Sequence, residues 1–340
     1  MTDGPKADGA VTISAIMPAF RAEALLPQVL EPLLAMKARG ELAEVIVVDD
    51  RSPDATADVA RRMGARVLVT PVNGGPGVAR NLAAAQAVGD VLWFVDSDVI
   101  AWPDGAQRVQ AVFADPTVAA VFGSYDSAPI GGWFARYKNL MHRYYHQTAR
   151  RTARTFWAGC GAVRADMFAR VGGFDVETYR VPSIEDIELG YRIHAAGGVI
   201  CVDPALLGKH LKQWTIRQAI HTDIFRRALP WSRLMIAREG LGDDLNTSKG
   251  ERARAVLAGL FLLSIPAMPL IGWGWAAGFG LLAVAGNWRL FSFFIAHLGL
   301  MRAILALFYH QIYYVYSAGA FAWCLFEYHV LRIRNRLHVP

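Results

Sequence analysis

Residues 90–98 have the sequence DVLWFVDSD, in which an apolar run ends in two aspartates separated by one serine. A continuous apolar run of this length predicts a strand that is buried on both faces of a sheet. Residues 44–50, EVIVVDD, repeat the arrangement, with a β-branched run that ends in Asp49 and Asp50. The sequence therefore predicts two buried strands that each end in carboxylates.

The residues around these two runs alternate between strand-like and helix-like patterns. Further strand-like stretches lie at 12–20 and 65–70, and helix-like stretches lie at 23–38, 54–63 and 77–88. Strands that alternate with helices of this length predict βαβ units and a mostly parallel α/β sheet covered by helices on both faces. In such sheets ligands bind at the carboxyl ends of the strands, where both acidic runs end.

The DxD triplet at 96–98 is a candidate metal site. On an extended segment, residues i and i+2 project to the same side, which would put the carboxylates of Asp96 and Asp98 together. Paired carboxylates are hard oxygen ligands for Mg²⁺ or Mn²⁺, and such an ion could bridge a diphosphate. The alternative is a solvated strand end. The second acidic strand end beside it favours the metal site.

A second acidic group, Glu185 and Asp186, follows a loop and begins a predicted helix whose Leu189 and Ile193 face inward. Acids in the first turn of a helix are also ordinary partners of the helix dipole. For a general base, the helix N-terminus would lower the carboxylate pKa, while burial beside a diphosphate would raise it. A moderate pKa is sufficient, because activating a sugar hydroxyl needs only partial proton transfer in the transition state.

Several common motifs are absent from the sequence, namely GxxxxGK[ST], GxSxG and a GxGxxG after the first strand. Their absence excludes a P-loop, a hydrolase nucleophile elbow and a dinucleotide fingerprint. The three cysteines are far apart and form no CxxC pair, which favours a reducing compartment over a disulfide framework or zinc site.

The positive charge is concentrated at the C-terminal end. Residues 251–340 contain seven arginines and two glutamates, which is +5 of the total formal charge of +6. The first 250 residues are therefore nearly neutral, and we expect no nucleic-acid partner. Residues 1–10 are predicted to be a flexible tail without the apolar segment of a signal peptide.

The C-terminal region is apolar enough to predict a membrane domain. Residues 255–286 contain no charge, and as one helix they would measure about 48 Å against a hydrocarbon core of ~30 Å. Pro266, Pro269 and Gly272 interrupt this stretch, which favours a helical hairpin. We expect residues 287–302 to lie in the interface and residues 303–326 to span once more.

The membrane topology predicted from these segments contains a conflict. Arginines flank the region on both sides, at 252 and 254 and again at 332, 334 and 336. The positive-inside rule puts both groups in the cytoplasm, which requires an even number of spans. The hairpin contributes two membrane spans and residues 303–326 contribute one, which gives an odd number. The number of spans therefore stays open at this point.

Two stretches that mix aromatic and basic residues, 132–157 and 205–240, are predicted to lie at the membrane surface. Rings prefer the headgroup depth, and cations meet anionic lipid there. The alternative is an ordinary solvated helix face. The residues expected near the headgroups are Trp214, Arg217, Arg226, Arg227 and Trp231.

Six segments taken together resemble glycosyltransferase family 2 with the GT-A fold, over roughly residues 12–215. They are IMPAF (16–20), VIVVDDRSPDAT (45–56), GPGVARN (75–81), FVDSD (94–98), FWAGCGAVRADMFARVGGFD (156–175) and EDIELGYRIHAAGG (185–198). Each segment is unspecific alone, but their order and spacing are specific. The resemblance implies an inverting transferase that uses a nucleoside-diphosphate sugar.

The resemblance also implies roles for individual residues. Asp186 would be the general base, and Asp98, Asp96 and His210 would hold the Mg²⁺ or Mn²⁺ ion. The residues implied to bind the nucleotide sugar are Pro18, Ala19 and Phe20 around the nucleoside, Asp50 at the base, Arg80 at the nucleotide, Asp96 at the ribose, and Ser97 and Glu185.

The sequence departs from the family pattern at two places. Lipid-phosphate sugar synthases often have Glu four residues after the proline, where this chain has Ala22. Processive polysaccharide synthases have QxxRW after the ED motif, whereas residues 210–214 here are HLKQW. Processive synthesis is therefore not expected.

The resulting prediction has a GT-A domain at 11–204, basic–aromatic interfacial helices at 205–250 and a transmembrane region at 251–340. The expected protein is a multi-pass protein of the cell membrane with a cytoplasmic catalytic domain, which transfers a sugar from a nucleoside-diphosphate donor to a lipid hydroxyl. Two alternatives remain open. One is a polyprenyl-phosphate glycosyltransferase, whose phosphate nucleophile needs no base, and the other is a non-catalytic membrane scaffold. A nucleotidyltransferase is disfavoured, because its glycine-rich signature after the first strand is missing.

Overall fold

A computed structural model describes residues 11–239 and 247–331 of the 340-residue chain. The predicted tail at 1–10 and the arginines at 332, 334 and 336 lie outside the described residues. The chain divides into two compact units. One combines Met1–Ala128 with Ala149–Leu211, and the other combines Pro129–Thr148 with Lys212–Pro340.

The first unit contains a mixed sheet with the strand order β3-β2-β1-β4-β8-β6-β9-β5, and β7 pairs with β9. Strands β1 to β4 are parallel to their neighbours within this group, while β8 is antiparallel to both β4 and β6. The α/β prediction is confirmed. The strands are β1 (Ile13–Ala19), β2 (Glu44–Asp49), β3 (Arg66–Val69), β4 (Val91–Val95), β5 (Val99–Ala101), β6 (Val118–Tyr125), β7 (Thr152–Ala153), β8 (Cys160–Arg164) and β9 (Val199–His210).

Strands β1, β2 and β4 are buried along their whole length. Burial on both faces explains why their sequences are continuous apolar runs rather than alternating ones. The helices of this unit are α1 (Leu26–Ala38), α2 (Thr56–Arg62), α3 (Pro76–Ala84), α4 (Gly105–Phe113), α6 (Ala165–Arg170) and α7 (Glu185–Ala195).

The boundaries of the units differ from the predicted domain limits in two respects. Strand β9 continues to His210, because it pairs with β6 and β5 beyond residue 204, so the limit predicted at 204 falls inside a strand. Helix α5 (Trp133–Thr148) belongs to the second unit, although the predicted domain 11–204 included it. Its apolar side chains pack in one cluster with residues of the C-terminal helices, among them Leu290, Phe294 and Ala306.

The second unit is helical in its described part. The chain from Ile216 to Glu239 is one series of helical segments, two of them π-helical, and it begins with a capping box between Thr215 and Gln218. Its elements are α5, α8 (Ile216–His221), π-helical Thr222–Ala228, α9 (Leu229–Leu234), π-helical Met235–Glu239, α10 (Lys249–Ile271), α11 (Trp273–Gly286), α12 (Trp288–Leu298) and α13 (Leu300–His329).

Helices α10 and α11 form the hairpin that the sequence predicts. Gly272, at φ 85°, separates them. The Arg254 Nε donates to the Gly286 carbonyl over 2.7 Å at one end, and Phe261 lies against Gly280 further along. Residue numbers therefore rise in one helix as they fall in the other, so the helices are antiparallel.

The multi-pass prediction is not supported. Within residues 11–239 and 247–331, α10 alone is long and apolar enough to cross a bilayer, and α11 with α12 qualifies only as a pair bent by 75°. Helix α13, which contains the span predicted at 303–326, does not qualify. Its polar side chains include His310 and Gln311, both buried within the unit, and four tyrosines between 309 and 316.

Two of the aromatic residues predicted near the headgroups are buried within the protein. Trp214 and Trp231 are 5% and 7% exposed, and Trp214 belongs to the apolar cluster of the second unit. Lys212 and Arg227 lie over the Trp214 ring at 4.2 and 6.0 Å from its centroid. Protein side chains therefore cover both rings, and the place of these residues near the headgroups stays a prediction.

Candidate active site

The carboxyl ends of β1 and β2 form one side of the candidate site. Parallel pairing sets Ala19 beside Asp49, and the Asp50 N–H donates to the Ala19 carbonyl over 2.8 Å. Pro18 and Ala19 are buried at the end of β1, and the Phe20 ring is exposed. The structure thus brings together the predicted nucleoside-binding residues and Asp50.

The Asp50 carboxylate holds the glycine-rich loop that follows β3. One oxygen accepts hydrogen bonds from the Thr70 hydroxyl (2.8 Å) and the Gly74 N–H (2.9 Å), and the other accepts from the Gly75 N–H (2.7 Å). Gly75 has φ 85°, a conformation that favours glycine, and it precedes the first turn of α3. The sequence did not predict this role of Asp50, and its contact with a nucleotide base stays a prediction.

Arg80, on α3, connects the two acidic motifs. Its guanidinium lies 2.5 Å from Asp96 Oδ1 and 3.8 Å from Glu185 Oε1. The guanidinium also lies over the Phe174 ring, 5.3 Å from its centroid. Because Arg80 is buried, these carboxylates are its compensating charges.

Asp96 and Asp98 lie at a turn rather than on the extended segment that the sequence predicts. The Val99 N–H donates to the Asp96 carbonyl over 2.9 Å, which closes a turn through Ser97 between β4 and β5. The turn lets Asp96 contact Arg80, while Asp98 approaches His210. The expectation of an extended segment was wrong for this reason, and a joint role of Asp96 and Asp98 in metal binding stays a prediction.

Asp98 and His210 are neighbours because β5 and β9 are antiparallel. Val99 pairs with His210, and the Leu211 N–H donates to the Asp98 carbonyl over 2.8 Å. Asp98 Oδ2 lies 3.5 Å from His210 Nε2. One carboxylate and one imidazole at this separation are suitable ligands for a single divalent ion. No arrangement of three or more His, Cys, Asp or Glu suited to a metal occurs among the described residues, and the role of Asp96 as a third ligand stays a prediction.

Glu185 and Asp186 occupy the first turn of α7. Asp186 accepts hydrogen bonds from the Ala158 N–H (3.1 Å) and the Ile187 N–H (2.8 Å), and Glu185 accepts from the Ser183 N–H (2.7 Å). Burial, and then the adjacent charge of Asp186, raises the pKa of Glu185 to about 7, with Arg80 opposing the shift. Burial also raises the pKa of Asp186, against the opposing effect of the Ala158 N–H and Arg80.

Asn81 is a site residue that sequence reasoning missed. Its side chain donates to the Phe174 carbonyl and accepts from the Phe174 N–H, both over 2.9 Å. The pairing fixes Phe174 under Arg80. The sequence feature that could have indicated this contact is the glycine pair before Phe174. Gly172 and Gly173 both have positive φ, which allows a sharp turn of the chain at this point.

The sequence of the first unit matches a described protein family over most of the sheet. Residues 14–172 match the family described as Glycosyl transferase family 2. Residues 14–172 are a glycosyl transferase family 2 domain. The family 2 match includes Asp50, Arg80, Asp96 and Asp98, whereas Asp186 lies beyond its C-terminal limit.

Two relatives of the family 2 domain are proteins named for different acceptors. Validoxylamine A glucosyltransferase of Streptomyces hygroscopicus is 31% identical over 219 residues, covering 54% of this chain and 48% of the relative. Pre-mycofactocin glycosyltransferase of Mycobacterium tuberculosis is 32% identical over 192 residues, covering 52% of this chain and 40% of the relative. The chain thus spans about half the length of the curated relatives it matches.

Two solved structures share the GT-A fold with the family 2 domain. A mannosyltransferase from Pyrobaculum calidifontis, in complex with GDP-Man and Mn²⁺, has a TM-score of 0.55 at 20% identity, covering 94% of this chain and 89% of that chain. GalNAc-T7 with UDP, GalNAc and Mn²⁺ has a TM-score of 0.51 at 15% identity, covering 74% and 51%. At these identities the similarity concerns the fold alone.

Proposed function

We propose that this chain is an inverting glycosyltransferase that moves a sugar from a nucleoside-diphosphate donor to a hydroxyl of a membrane lipid, with a divalent metal. The observation that supports this most strongly is the contact of Arg80 with both Asp96 and Glu185. The contact joins the acidic strand end to the carboxylates of α7. A sugar donor bound near Asp96 would therefore lie close to a general base on α7.

The donor pocket of this proposal is formed by the ends of β1 and β2 and by the loop that Asp50 holds. Pro18, Ala19 and Phe20 would line the nucleoside, and Ser97 and Asp96 would lie toward the ribose. Both similar structures described above contain a nucleotide and Mn²⁺. We extend that donor class, a nucleoside-diphosphate sugar, to this chain.

Asp98 and His210 are the proposed metal ligands, because their donor atoms lie 3.5 Å apart and combine a carboxylate with an imidazole. Substrate oxygens would complete the coordination of Mg²⁺ or Mn²⁺, and the carboxylate is the ligand that both ions prefer. A bound ion would neutralise charge on the leaving diphosphate. Asp96 stays in contact with Arg80 in this proposal.

Asp186 is the proposed general base. Its pKa is raised by burial, which makes its carboxylate a better proton acceptor for an incoming hydroxyl. The Ala158 N–H holds the carboxylate in place on one side. Asp186 would accept the proton as the acceptor oxygen attacks the anomeric carbon and the diphosphate leaves.

The second unit is the proposed membrane anchor, and its hairpin is the proposed insertion element. Only 11% of the most apolar stretch of α10 is buried, which is unlike the core helix of a soluble domain. Leu263, Leu270, Trp273 and Leu281 are exposed along the hairpin. Because α10 and α11 are antiparallel, both ends of the hairpin would lie on one side of the bilayer, which we propose to be the cytoplasmic side together with the catalytic domain.

One observation favours the polyprenyl-phosphate alternative. Both carboxylate oxygens of Asp186 already accept a backbone hydrogen bond, as they would in a residue that only shapes the loop. A phosphate acceptor is already ionised and needs no base. The two reactions therefore differ in what they require of Asp186.

Two measurements test this proposal, first the binding of a nucleotide-sugar donor and then the rate of sugar transfer. Full-length protein is mixed with nucleotide sugars and Mn²⁺, and a donor is identified by a rise in the unfolding temperature, since ligands of the native state stabilise it by mass action. With that donor, Asp186→Asn should keep donor affinity and lower kcat about 10²-fold or more. Unchanged turnover would support the phosphate acceptor. Donor binding without any transfer to lipid extracts would support the non-catalytic scaffold.

A further inference from the structure

The imidazole of His210 is stacked on an aromatic ring that belongs to a different strand. Tyr125 is the last residue of β6, and His210 is the last residue of β9. Their ring centroids are 4.4 Å apart and the ring planes differ by 8°. Trp157 meets the Tyr125 ring edge-on, at 4.9 Å and 90°. The three rings form one cluster, and its His210 ring lies beside Asp98.

Strand pairing fixes the backbone of His210 but not its ring. The β5–β9 register places the His210 backbone beside Asp98, while the imidazole can still rotate about two side-chain bonds. Only some of these rotations direct Nε2 toward Asp98. A contact on the face of the ring restricts these rotations, and Tyr125 supplies such a contact.

We infer that Tyr125 is a positioning residue, whose stacked ring holds the His210 imidazole with Nε2 directed at Asp98, so that the two side chains can share one divalent ion. The inference rests on the proposed function, which takes Asp98 and His210 as metal ligands. Tyr125 itself would not touch the ion. Groups that orient a histidine ligand in this way typically change metal affinity by about 10- to 100-fold when they are removed.

The experiment measures Mn²⁺ affinity directly. Mn²⁺ is titrated into the full-length protein, alone and with UDP or GDP, and the free aquo ion is followed by electron paramagnetic resonance. Four variants are compared with the wild type: Tyr125→Phe keeps the ring, Tyr125→Leu removes it, His210→Gln removes the ligand, and Phe122→Leu removes a buried ring from the same strand. The unfolding temperature of each metal-free variant is recorded as well.

We expect Tyr125→Leu to weaken Mn²⁺ binding about tenfold and Tyr125→Phe to stay within about twofold, because stacking depends on the ring rather than the hydroxyl. Phe122→Leu should lower the unfolding temperature without changing Mn²⁺ affinity. If His210→Gln weakens binding but Tyr125→Leu does not, the positioning role is wrong while the metal site stands. If His210→Gln also binds Mn²⁺ like the wild type, the proposed metal site itself is wrong, and the inference is overturned with it.

Discussion

The Arg80 guanidinium lies 2.5 Å from the Asp96 carboxylate, although α3 and the end of β4 are separate elements of the sequence. The same guanidinium reaches Glu185 at 3.8 Å. One buried cation therefore compensates carboxylates from both acidic motifs, which would otherwise repel each other at short range.

Replacing Arg80 should damage both stability and donor binding. Arg80→Ala should cost about 2 kcal/mol of unfolding free energy, less than the ~3–5 kcal/mol typical of fully buried pairs, because Asp96 is partly solvated. Urea unfolding and donor titration measure the two effects. Arg66→Ala is the control, since it breaks a more exposed ion pair with Glu44. If Arg80→Ala has the same free energy of unfolding as the wild type, Arg80 does not stabilise the structure by joining Asp96 to Glu185.

The pH profile should depend on Glu185. Its pKa is raised to about 7 by burial and by the adjacent charge of Asp186, so Glu185 takes up a proton as the pH falls through that value and loses its negative charge beside Arg80. We expect kcat/KM to fall on the acid side in the wild type. In Glu185→Gln this titration is absent, so the acid limb should move to lower pH.

The profile is measured as kcat/KM from pH 5 to 9, with Glu188→Gln as the control on the same helix. Glu188 pairs with Arg192 instead of Arg80. An acid limb that stays in place in Glu185→Gln would mean that another group limits the rate.

Asp50→Ala should loosen the glycine-rich loop. The amides of Gly74 and Gly75 lose a charged acceptor, and such bonds are worth about 1.5–3 kcal/mol, so their hydrogen exchange should accelerate by about tenfold or more. Donor affinity should fall in parallel. If donor affinity falls while exchange is unchanged, Asp50 contacts the nucleotide rather than organising the loop.

Charges on the hairpin should release the protein from membranes. Leu263 and Leu281 are 72% and 71% exposed, and Val88, in the first unit, is equally exposed at 71%. Leu263→Glu combined with Leu281→Glu should abolish flotation with liposomes, because one charge inside the bilayer costs about 2.5 kcal/mol or more. Val88→Glu should float like the wild type. Equal flotation of all three proteins would exclude the hairpin as the insertion element.

The sequence by itself determined the buried strands, their carboxylate ends and the hairpin. Each depends on local chemistry: an apolar run predicts burial, and Pro266, Pro269 and Gly272 interrupt a helix wherever they occur. The order of the acidic strand ends also predicted which edge of the sheet forms the site, because parallel βαβ units bring the carboxyl ends of their strands to one edge.

Only the tertiary structure decided which partner each site residue meets. Arg80 reaches Glu185, Asp50 reaches Gly75 and Asp98 reaches His210 through register and packing between distant segments, which no local pattern encodes. The turn at Ser97 gave the two aspartates different contacts, with Arg80 for Asp96 and His210 for Asp98. Packing also buried Trp214, because an amphipathic aromatic–basic stretch has the same sequence pattern whether a bilayer or neighbouring helices cover its apolar face.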